Sequence, residues 1–305
     1  MSEQLSDLTD RKTLTRLVEK VVARPAGSPA ALRKLHTVLR RAKTHADTVL
    51  AVEPIRSIHH VACSGGTLVS KAIEAMPNTV LLSEVDPLST LHLRGAKRPF
   101  FPTDLIPDLR FSVRPAAEET VIAVFSQALL ALHRDLRPRG RHLVVRDHAH
   151  SQFFTAQDAH ARPTVHKIIA GVGPSLAIVT VRHPLDSLLA LRKNGWIHHR
   201  PDTLEEYCRR YLDFLDAHSA LPVVKYEEFV AHPARTMEHI CALLSLPFDA
   251  HFETHMSLSR LSGDSGRSGQ KIAARPRRPV AFELRREMGQ SQAYAALCAA
   301  LEYDP

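Results

Sequence analysis

The sequence predicts an α/β fold, with a parallel sheet flanked by helices, because short β-rich runs alternate with amphipathic helical runs along most of the chain. The length of 305 residues and the 44% content of hydrophobic residues are enough to bury a substantial core. Neither internal repeats nor low-complexity segments interrupt the pattern. We therefore expect one α/β domain over residues 55–305, preceded by a helical segment over residues 1–54.

Five runs enriched in β-branched and other apolar residues form the predicted sheet. In chain order they are Ile58–Cys63, Thr79–Leu82, His142–Arg146, Leu176–Val181 and Pro222–Lys225. Runs with helical spacing follow or separate these strands. The first of these helical runs ends at Met76. The others cover Glu118–Arg137, Leu185–Asn194, Leu204 to about His218, and Pro233–Leu244. Thr203 and Glu206 have the spacing of a capping box, which predicts that a helix begins there.

The charge of the chain predicts an anionic partner, since the formal net charge is +8 and the pI is near 9.5. The basic face of the N-terminal segment fits two interpretations, a surface that binds nucleic acid or a helix face exposed to solvent. We favour exposure to solvent and expect no nucleic-acid partner. No apolar run reaches the length of a membrane span, and the N-terminus lacks the basic-then-apolar order of a signal peptide. The four cysteines are far apart in the chain. These features predict a cytoplasmic protein with reduced thiols and no membrane span.

A loop of small residues, Ser64–Thr67, connects the first predicted strand to an amphipathic helix. Backbone N–H groups in such a loop, with the positive end of a helix dipole behind them, form a site for an anion such as phosphate. The loop is not a Walker A motif, because Thr67 follows Gly66 where that motif has lysine. The alternative interpretation is a tight strand-to-helix turn without a ligand.

Two further features provide cations for an anionic ligand. Arg182 follows a buried strand at the edge where ligands of parallel sheets bind, although an arginine there is otherwise a structural ion-pair partner. Residues 257–279 form a long basic loop rich in Ser, Gly, Pro and Arg, which is otherwise a solvated surface loop. Three separate anion-binding features favour a ligand with phosphate groups at two ends.

Three motifs resemble the sulfotransferases that use 3′-phosphoadenosine 5′-phosphosulfate (PAPS). Residues 63–68, CSGGTL, resemble the family's loop for the 5′-phosphosulfate, and residues 181–186, VRHPLD, resemble its strand and helix for the 3′-phosphate. Residues 221–248 resemble the strand and helix before the final basic loop, so that the resemblance covers roughly residues 55–280. It implies a P-loop NTPase-like three-layer sandwich, PAPS as donor, adenosine 3′,5′-bisphosphate as product, and no metal.

The resemblance also implies a set of donor ligands. The implied ligands in the first motif are Cys63, Ser64, Gly65, Gly66, Thr67 and Leu68, those in the second are Arg182 and Ser187, and those in the basic loop are Arg267, Ser268, Lys271 and Arg275. Arg267 and Ser268 match the family's terminal loop. Lys271 and Arg275 are additional ligands suggested by their charge.

The sequence departs from the family pattern at two positions. Cys63 stands where the family usually has a lysine or arginine, and a thiol cannot supply a cation to the leaving phosphate. Ala190 stands where the family usually has a serine, and Ser187, one turn earlier, is the substitute that we consider. Lys71, Arg146 or an arginine of the basic loop would have to replace the missing cation.

Glu84, at the end of the second predicted strand, matches the catalytic glutamate of the protein-tyrosine sulfotransferase branch. A carboxylate there can take the proton from an acceptor hydroxyl; otherwise Glu84 caps a helix or pairs with an arginine. Asp86 is the next carboxylate to consider. His148 and His150 would share a side with Arg146 if the third strand continued, and we consider them as acceptor-site residues, a second base, or polar residues at a strand end.

The predicted activity is transfer of a sulfuryl group from PAPS to a hydroxyl or amine of a small molecule or carbohydrate. The alternative is a weakened or inactive protein that binds the bisphosphate nucleotide on the same fold. A P-loop kinase is disfavoured because the Gly-Lys-[Ser/Thr] signature is missing. We expect the loops at residues 100–114 and 196–201 to line the acceptor pocket. Nothing in the sequence indicates an oligomeric state.

Overall fold

Five parallel strands form the central sheet, and across the sheet they lie in the order Thr79–Val85, His142–Asp147, Ile55–His60, Ser175–Val181 and Val223–Lys225. The computed structural model describes residues 53–91, 103–259, 261, 272–274 and 276–305. These residues all belong to one unit, Glu53–Pro305. The helical segment predicted before residue 53 and much of the predicted basic loop lie outside the described residues. The predicted parallel α/β fold is confirmed.

The strands follow the predicted order, with one shift at the start. Their bounds are β1 Ile55–His60, β2 Thr79–Val85, β3 His142–Asp147, β4 Ser175–Val181 and β5 Val223–Lys225. The prediction that the first strand covers Ile58–Cys63 was wrong by three residues at each end. The chain leaves the sheet after His60 because the N–H of Ser64 turns back to the carbonyl oxygen of Val61 at 3.3 Å.

Helices cover both faces of the sheet. Those that the sequence predicted are α1 Gly66–Glu74, α3 Glu118–Leu136, α6 Pro184–Asn194, α7 Leu204–Ala217 and α9 Pro233–Leu244. The others are α2 Leu105–Phe111, α4 His150–Phe153, α5 Val165–Val172, α8 Tyr226–Ala231, α10 Phe252–His255, α11 Phe282–Gln290 and α12 Gln292–Leu301. Thr203 caps α7 as predicted, because its side chain accepts a hydrogen bond from the N–H of Glu206. None of the helices in the described part of the chain is long and apolar enough to cross a bilayer.

Alternate strand residues face opposite helical layers, as the period of a β-strand requires. Ile58, Val144 and Ile178 belong to the core packed against α1, α8 and α9. Val145 belongs to a core with α3 and α5, and Val179 belongs to a core with α6, α7 and α12. The result is the three-layer arrangement that the resemblance implies.

Arg56 in β1 joins the sheet to the end of α9. Its buried guanidinium donates to the carbonyl oxygens of Leu244 at 2.5 Å and Ser245 at 2.8 Å, and to the carboxylate of Glu53 at 2.6 Å. These carbonyls belong to the last residue of α9 and to its C-cap. Arg56 therefore satisfies acceptors that the helix itself leaves without donors.

We predict that Arg56→Met lowers the free energy of unfolding by about 3 kcal/mol, because the carbonyl oxygens of Leu244, Ser245 and Pro54 lose a donor and Glu53 keeps only His142 as a partner. Urea denaturation measures the change. The control is Arg139→Met, since Arg139 pairs with Asp135 in an exposed position; a change within about 0.5 kcal/mol is expected there. Equal effects of the two substitutions would contradict the assigned role of Arg56.

Candidate functional site

The loop after β1 opens onto a cavity at the carboxyl edge of the sheet. Gly65 is the N-cap of α1, with φ of +90°, and α1 begins at Gly66. The first N–H groups of a helix have no partner inside it, and the helix dipole makes this end attractive to anions. Ser64 is fully buried and its hydroxyl donates to the carbonyl oxygen of Val61 at 2.8 Å. Ser64 therefore stabilises the turn that presents the loop.

Both glycines of the loop pack directly against aromatic rings. A Cβ atom at Gly65 would lie 2.1 Å from Cδ2 of Tyr226, and a Cβ atom at Gly66 would lie 2.2 Å from Cδ2 of His60. The positive φ of Gly65 is also in the left-handed region that glycine adopts without strain. Packing beneath the loop, and not only the approach of a ligand, thus excludes side chains at these positions.

Arg146, near the end of β3, places a buried cation beneath the loop. Its guanidinium donates to His60 Nε2 at 2.9 Å, to Ser83 Oγ at 3.0 Å and to Thr67 Oγ1 at 2.8 Å. Burial, together with the charge of Arg146, lowers the pKa of His60 to about 3. His60 is therefore neutral; its Nδ1–H donates to the carbonyl oxygen of Val61 at 3.0 Å, and Nε2 accepts from Arg146.

Glu84 brings a carboxylate to the same cavity. It lies where the pairing of β2 with β3 shifts between Leu82 and Val85, and its φ of +56° is unusual for a residue other than glycine. One carboxylate oxygen is 3.4 Å from an Nη atom of Arg146. The irregular strand end thus holds a partly buried carboxylate next to the buried guanidinium.

Arg182 follows β4 and reaches across to the loop. An Nη atom donates to the carbonyl oxygen of Cys63 at 3.4 Å, and the guanidinium carbon lies 4.8 Å from the centre of the Tyr226 ring. Its Nε is buried and has no hydrogen-bond partner among the described residues. A buried donor without an acceptor is costly, and an anionic ligand would satisfy it.

The cavity has a volume of about 520 Å³ and collects most of the described residues that the sequence predicted. Those that line it are Cys63, Gly65, Gly66, Thr67, Leu68, Glu84 and Arg182. Ser187 is fully buried and is not among the lining residues, whereas Ala190 is. Arg267, Ser268, Lys271 and Arg275 lie outside the described residues.

Comparison with protein families supplies the identity of the fold. A model described as the sulfotransferase family matches residues 61–250, more than half of the 305 residues. The chain belongs to the sulfotransferase family. A comparison with curated protein sequences gives no match.

Solved sulfotransferase structures share this fold at low sequence identity. The sulfotransferase domain from the curacin biosynthetic pathway is 16% identical, with a TM-score of 0.50, over 83% of this chain and 99% of that domain. The sulfotransferase domain of the Synechococcus PCC 7002 olefin synthase is 18% identical, with a TM-score of 0.47, over 83% of this chain and 96% of that one. A sulfotransferase from Alicyclobacillus acidocaldarius is 14% identical, with a TM-score of 0.42, over 84% of this chain and 98% of that one.

Cys63 places a neutral side chain directly before the loop in this family member. Burial raises the pKa of the Cys63 thiol to about 11, even though Arg182 acts in the opposite direction, and Asn194 donates to the sulfur at 3.7 Å. Among the cations that the sequence suggested as substitutes, Lys71, Arg146 and Arg278 of the basic loop all line the cavity. Arg146 donates a hydrogen bond to the loop residue Thr67.

Further histidines belong to the cavity wall. The condition under which His148 and His150 would share the side of Arg146 is not met, since β3 ends at Asp147 and α4 begins at His150. Both histidines nevertheless border the cavity. Burial lowers the pKa of His150 to about 3, and its Nε2 is 3.2 Å from the carbonyl oxygen of Trp196.

A second cavity of about 440 Å³ adjoins this side and shares Glu84 and His148 with the first. Its other walls include Asp104, Pro107 and Arg110, and the latter two belong to α2. The sequence predicted a loop over residues 100–114, but residues 105–111 form this helix. Of the second predicted acceptor loop, Trp196 and His198 line the first cavity.

Sequence reasoning missed two residues that shape the sulfotransferase loop, His60 and Tyr226. His60 is the last residue of β1, and its place one residue before the turn that begins at Val61 was the available signal. Tyr226 follows β5 at the carboxyl edge of the sheet, where ligand sites of parallel sheets lie. Its contact with Gly65 joins residues that are distant in the chain, so no local pattern indicates it.

We predict that Gly66→Ala lowers the free energy of unfolding by about 2 kcal/mol, because the new methyl group would overlap the hydrogen-bonded ring of His60. The matched control is Gly171→Ala in α5, where no atom lies within 4 Å of the new Cβ and a gain of about 0.5 kcal/mol is expected. Chemical denaturation of both variants measures these changes. A stable Gly66→Ala variant would show that the ring of His60 does not define the loop.

Proposed function

We propose that this protein transfers a sulfuryl group from PAPS to a hydroxyl or amine of a small molecule or carbohydrate. The observation that carries the proposal is the meeting of three chemically different groups at one cavity. The beginning of α1 and the unpartnered Nε of Arg182 suit two phosphate groups, and the carboxylate of Glu84 suits a base. Membership of the sulfotransferase family supports the choice of the sulfuryl group.

The groups that would hold PAPS are the loop after β1 and Arg182, which line the same cavity. The N–H groups of the loop at Gly65 and Gly66, with the hydroxyl of Thr67, would bind the 5′-phosphate. Arg182 would bind the 3′-phosphate through its unpartnered Nε. Bound PAPS supplies the sulfuryl group that is transferred. The roles proposed for Arg267, Ser268, Lys271 and Arg275 remain predictions from sequence.

Glu84 is the proposed base. Its carboxylate is 3.4 Å from an Nη atom of Arg146, and it borders both cavities. An acceptor in the second cavity would therefore reach Glu84. The carboxylate would then take the proton from the acceptor hydroxyl or amine as this group becomes nucleophilic.

Arg146 is the proposed substitute for the cation missing at Cys63. Its guanidinium already donates to Thr67, a residue of the anion-binding loop. Because Arg146 is buried, water screens its charge only weakly, so it stabilises negative charge that develops at the loop. The neutral state of His60 lets one nitrogen of its ring accept a hydrogen bond from Arg146 and hold the guanidinium in place.

A second candidate function is nucleotide binding without efficient transfer. The neutral thiol of Cys63 favours it, because the family places a cation at this point of the loop. In that case Arg146 would serve only to stabilise the loop. The two candidates predict the same ligand and differ in turnover.

Separate measurements of binding and turnover test the main proposal. We expect Arg182→Met to weaken binding of adenosine 3′,5′-bisphosphate by about 10- to 100-fold, because a charged hydrogen bond is lost. We expect Glu84→Gln to bind this nucleotide within about twofold of wild type while its kcat falls by about 100-fold or more. Calorimetry gives the affinities, and release of adenosine 3′,5′-bisphosphate from PAPS with a panel of hydroxyl and amine acceptors gives the rates.

The control for these two variants is Arg192→Met in α6, which removes an arginine that pairs with Asp202 away from the cavity. Both its affinity and its rate should equal those of the wild type. Wild-type protein that binds the nucleotide but releases none with any acceptor would contradict the transfer proposal and favour the second candidate. Tighter binding of ATP than of PAPS would contradict both.

Substitution of Cys63 separates the two roles considered for Arg146. If Arg146 supplies the catalytic charge, Cys63→Arg changes kcat by less than about threefold, because a second cation adds little to a charge that is already stabilised. If the site is defective, Cys63→Arg raises kcat by about 10-fold or more. Cys63→Ser is the control, since it removes the thiol without adding charge. We expect the first result, measured as steady-state turnover at saturating PAPS.

A further inference from the structure

A second cluster of titratable side chains lies within the helical layer on the sheet face opposite to Arg146. His59 in β1, Asp147 at the end of β3 and His218 just after α7 are all buried. One nitrogen or oxygen of each residue lies within 4.8 Å of the corresponding atoms of the other two. Because neighbouring strand residues face opposite ways, His59 and Asp147 point away from their neighbours His60 and Arg146.

Several polar atoms of this cluster have no hydrogen-bond partner among the described residues. They are Asp147 Oδ1, His218 Nε2 and Nδ1 of the nearby His166 in α5. Buried polar atoms without partners are rare and cost roughly 1–3 kcal/mol each. Asp147 Oδ1 and His218 Nε2 belong to the cluster itself, and the ring of His166 packs beside it, which indicates a ligand that accepts lone pairs from the cluster.

The hydrogen bonds of His218 determine which of its nitrogens is a ligand. Its Nδ1 is 2.8 Å from the carbonyl oxygen of Phe214, which can only accept, so the proton is on Nδ1. Nε2 therefore carries a lone pair, and it is the nitrogen without a partner. A carbonyl that fixes the tautomer of a histidine in this way is typical of metal-binding histidines.

His59 can present a lone pair to the same point. Its Nε2 is 2.9 Å from Ser57 Oγ, and its Nδ1 is 2.8 Å from Asp147 Oδ2. Without an ion, Nδ1–H of His59 donates to Asp147 Oδ2, and Ser57 Oγ–H donates to Nε2. Binding of an ion would displace the proton from Nδ1; Nε2–H would then donate to Ser57, and Nδ1 would present a lone pair.

The cluster is shielded from solvent. Only 0% of His59, 3% of Asp147 and 2% of His218 is exposed, so water does not compete for their donor atoms. His166 is nearby, with its ring centre 5.5 Å from that of His59 and 6.2 Å from that of His218.

We propose that His59, Asp147 and His218 bind a divalent transition metal ion of the zinc class, with His166 as the fourth ligand. Three imidazoles and one carboxylate form a nitrogen- and oxygen-based set that zinc favours in four-coordinate sites. The ion joins β1, β3, α5 and the end of α7. Its role is structural, because His59 and His218 are buried on the opposite face of the sheet from His60 and Arg146, and of the three ligands Asp147 alone borders the cavity.

A Ser–His–Asp hydrolytic site is the main alternative for the same contacts, since Ser57, His59 and Asp147 are joined in that order. Ser57 is fully buried in the middle of β1, so a substrate cannot reach its hydroxyl. Asp147, in contrast, borders the large cavity, which gives a small ion a route to the cluster. The geometry therefore favours an ion over an ester or peptide substrate.

Cobalt(II) titration of the full-length, tag-free protein, first dialysed against a strong chelator, tests this inference. We expect one equivalent of Co²⁺ to give the intense visible absorption of a four-coordinate site, and Zn²⁺ to abolish it. Zn²⁺ should also raise the melting temperature of the wild type. Absence of the absorption, or an absorption that does not saturate near one equivalent, would overturn the proposal.

The main variant is His218→Asn, whose amide N–H can still donate to Phe214 while the Nε2 ligand is lost. We expect it to lose the absorption or to bind Co²⁺ at least about 10-fold more weakly. A second variant, His166→Ala, removes the fourth ligand at a less buried position and should lower the intensity of the band. The control is His183→Gln, since His183 is a buried histidine outside the cluster that bonds to the carbonyl oxygen of Asp304 through Nε2.

The control variant should reproduce the wild-type spectrum. Identical spectra for wild type, His218→Asn and His166→Ala would place the ion elsewhere among the chain's 19 histidines and overturn the proposal. Far-UV circular dichroism of each variant confirms its fold before titration. None of these readouts depends on PAPS or on turnover, so failure of the transfer proposal leaves this test unchanged.

Discussion

The buried guanidinium of Arg146 is the constraint on which the candidate site depends. A cation removed from water requires several acceptors, and here they come from His60 at the end of β1, Ser83 in β2 and Thr67 in the loop. This requirement keeps His60 neutral, and the ring of His60 in turn excludes a side chain at Gly66. The shape of the loop and its positive charge thus have one common cause.

The sheet separates two clusters that are adjacent in sequence. His60 and Arg146 face α1 and the loop, whereas His59 and Asp147 face α5 and α7. Both pairs of neighbours sit at the carboxyl ends of adjacent parallel strands, β1 and β3. A change in one cluster therefore reaches the other through a single peptide unit in each strand.

The fold was largely predictable from the sequence because its signals are local. The strands β2 to β5 and the helix α9 appear where periodicity and turn residues indicate them, and Thr203 caps α7 as its spacing with Glu206 predicts. The first strand was predicted three residues too late, because Val61–Cys63 is as apolar as a strand. In the structure these residues form a turn, in which Cys63 has a left-handed φ. The helices α11 and α12 were missed, although they pack against α7 in the core.

The sequence by itself determined the positions of the loop, of Arg182 and of Glu84, because order along parallel strands places their ends at one edge of the sheet. Only the tertiary structure decided that Arg146 contacts the loop and that Ala190, rather than Ser187, borders the cavity. It also decided that Tyr226 packs on Gly65. The physical reason is that periodicity along the chain specifies local conformation and strand ends, while contacts between distant residues depend on how helices and sheet pack.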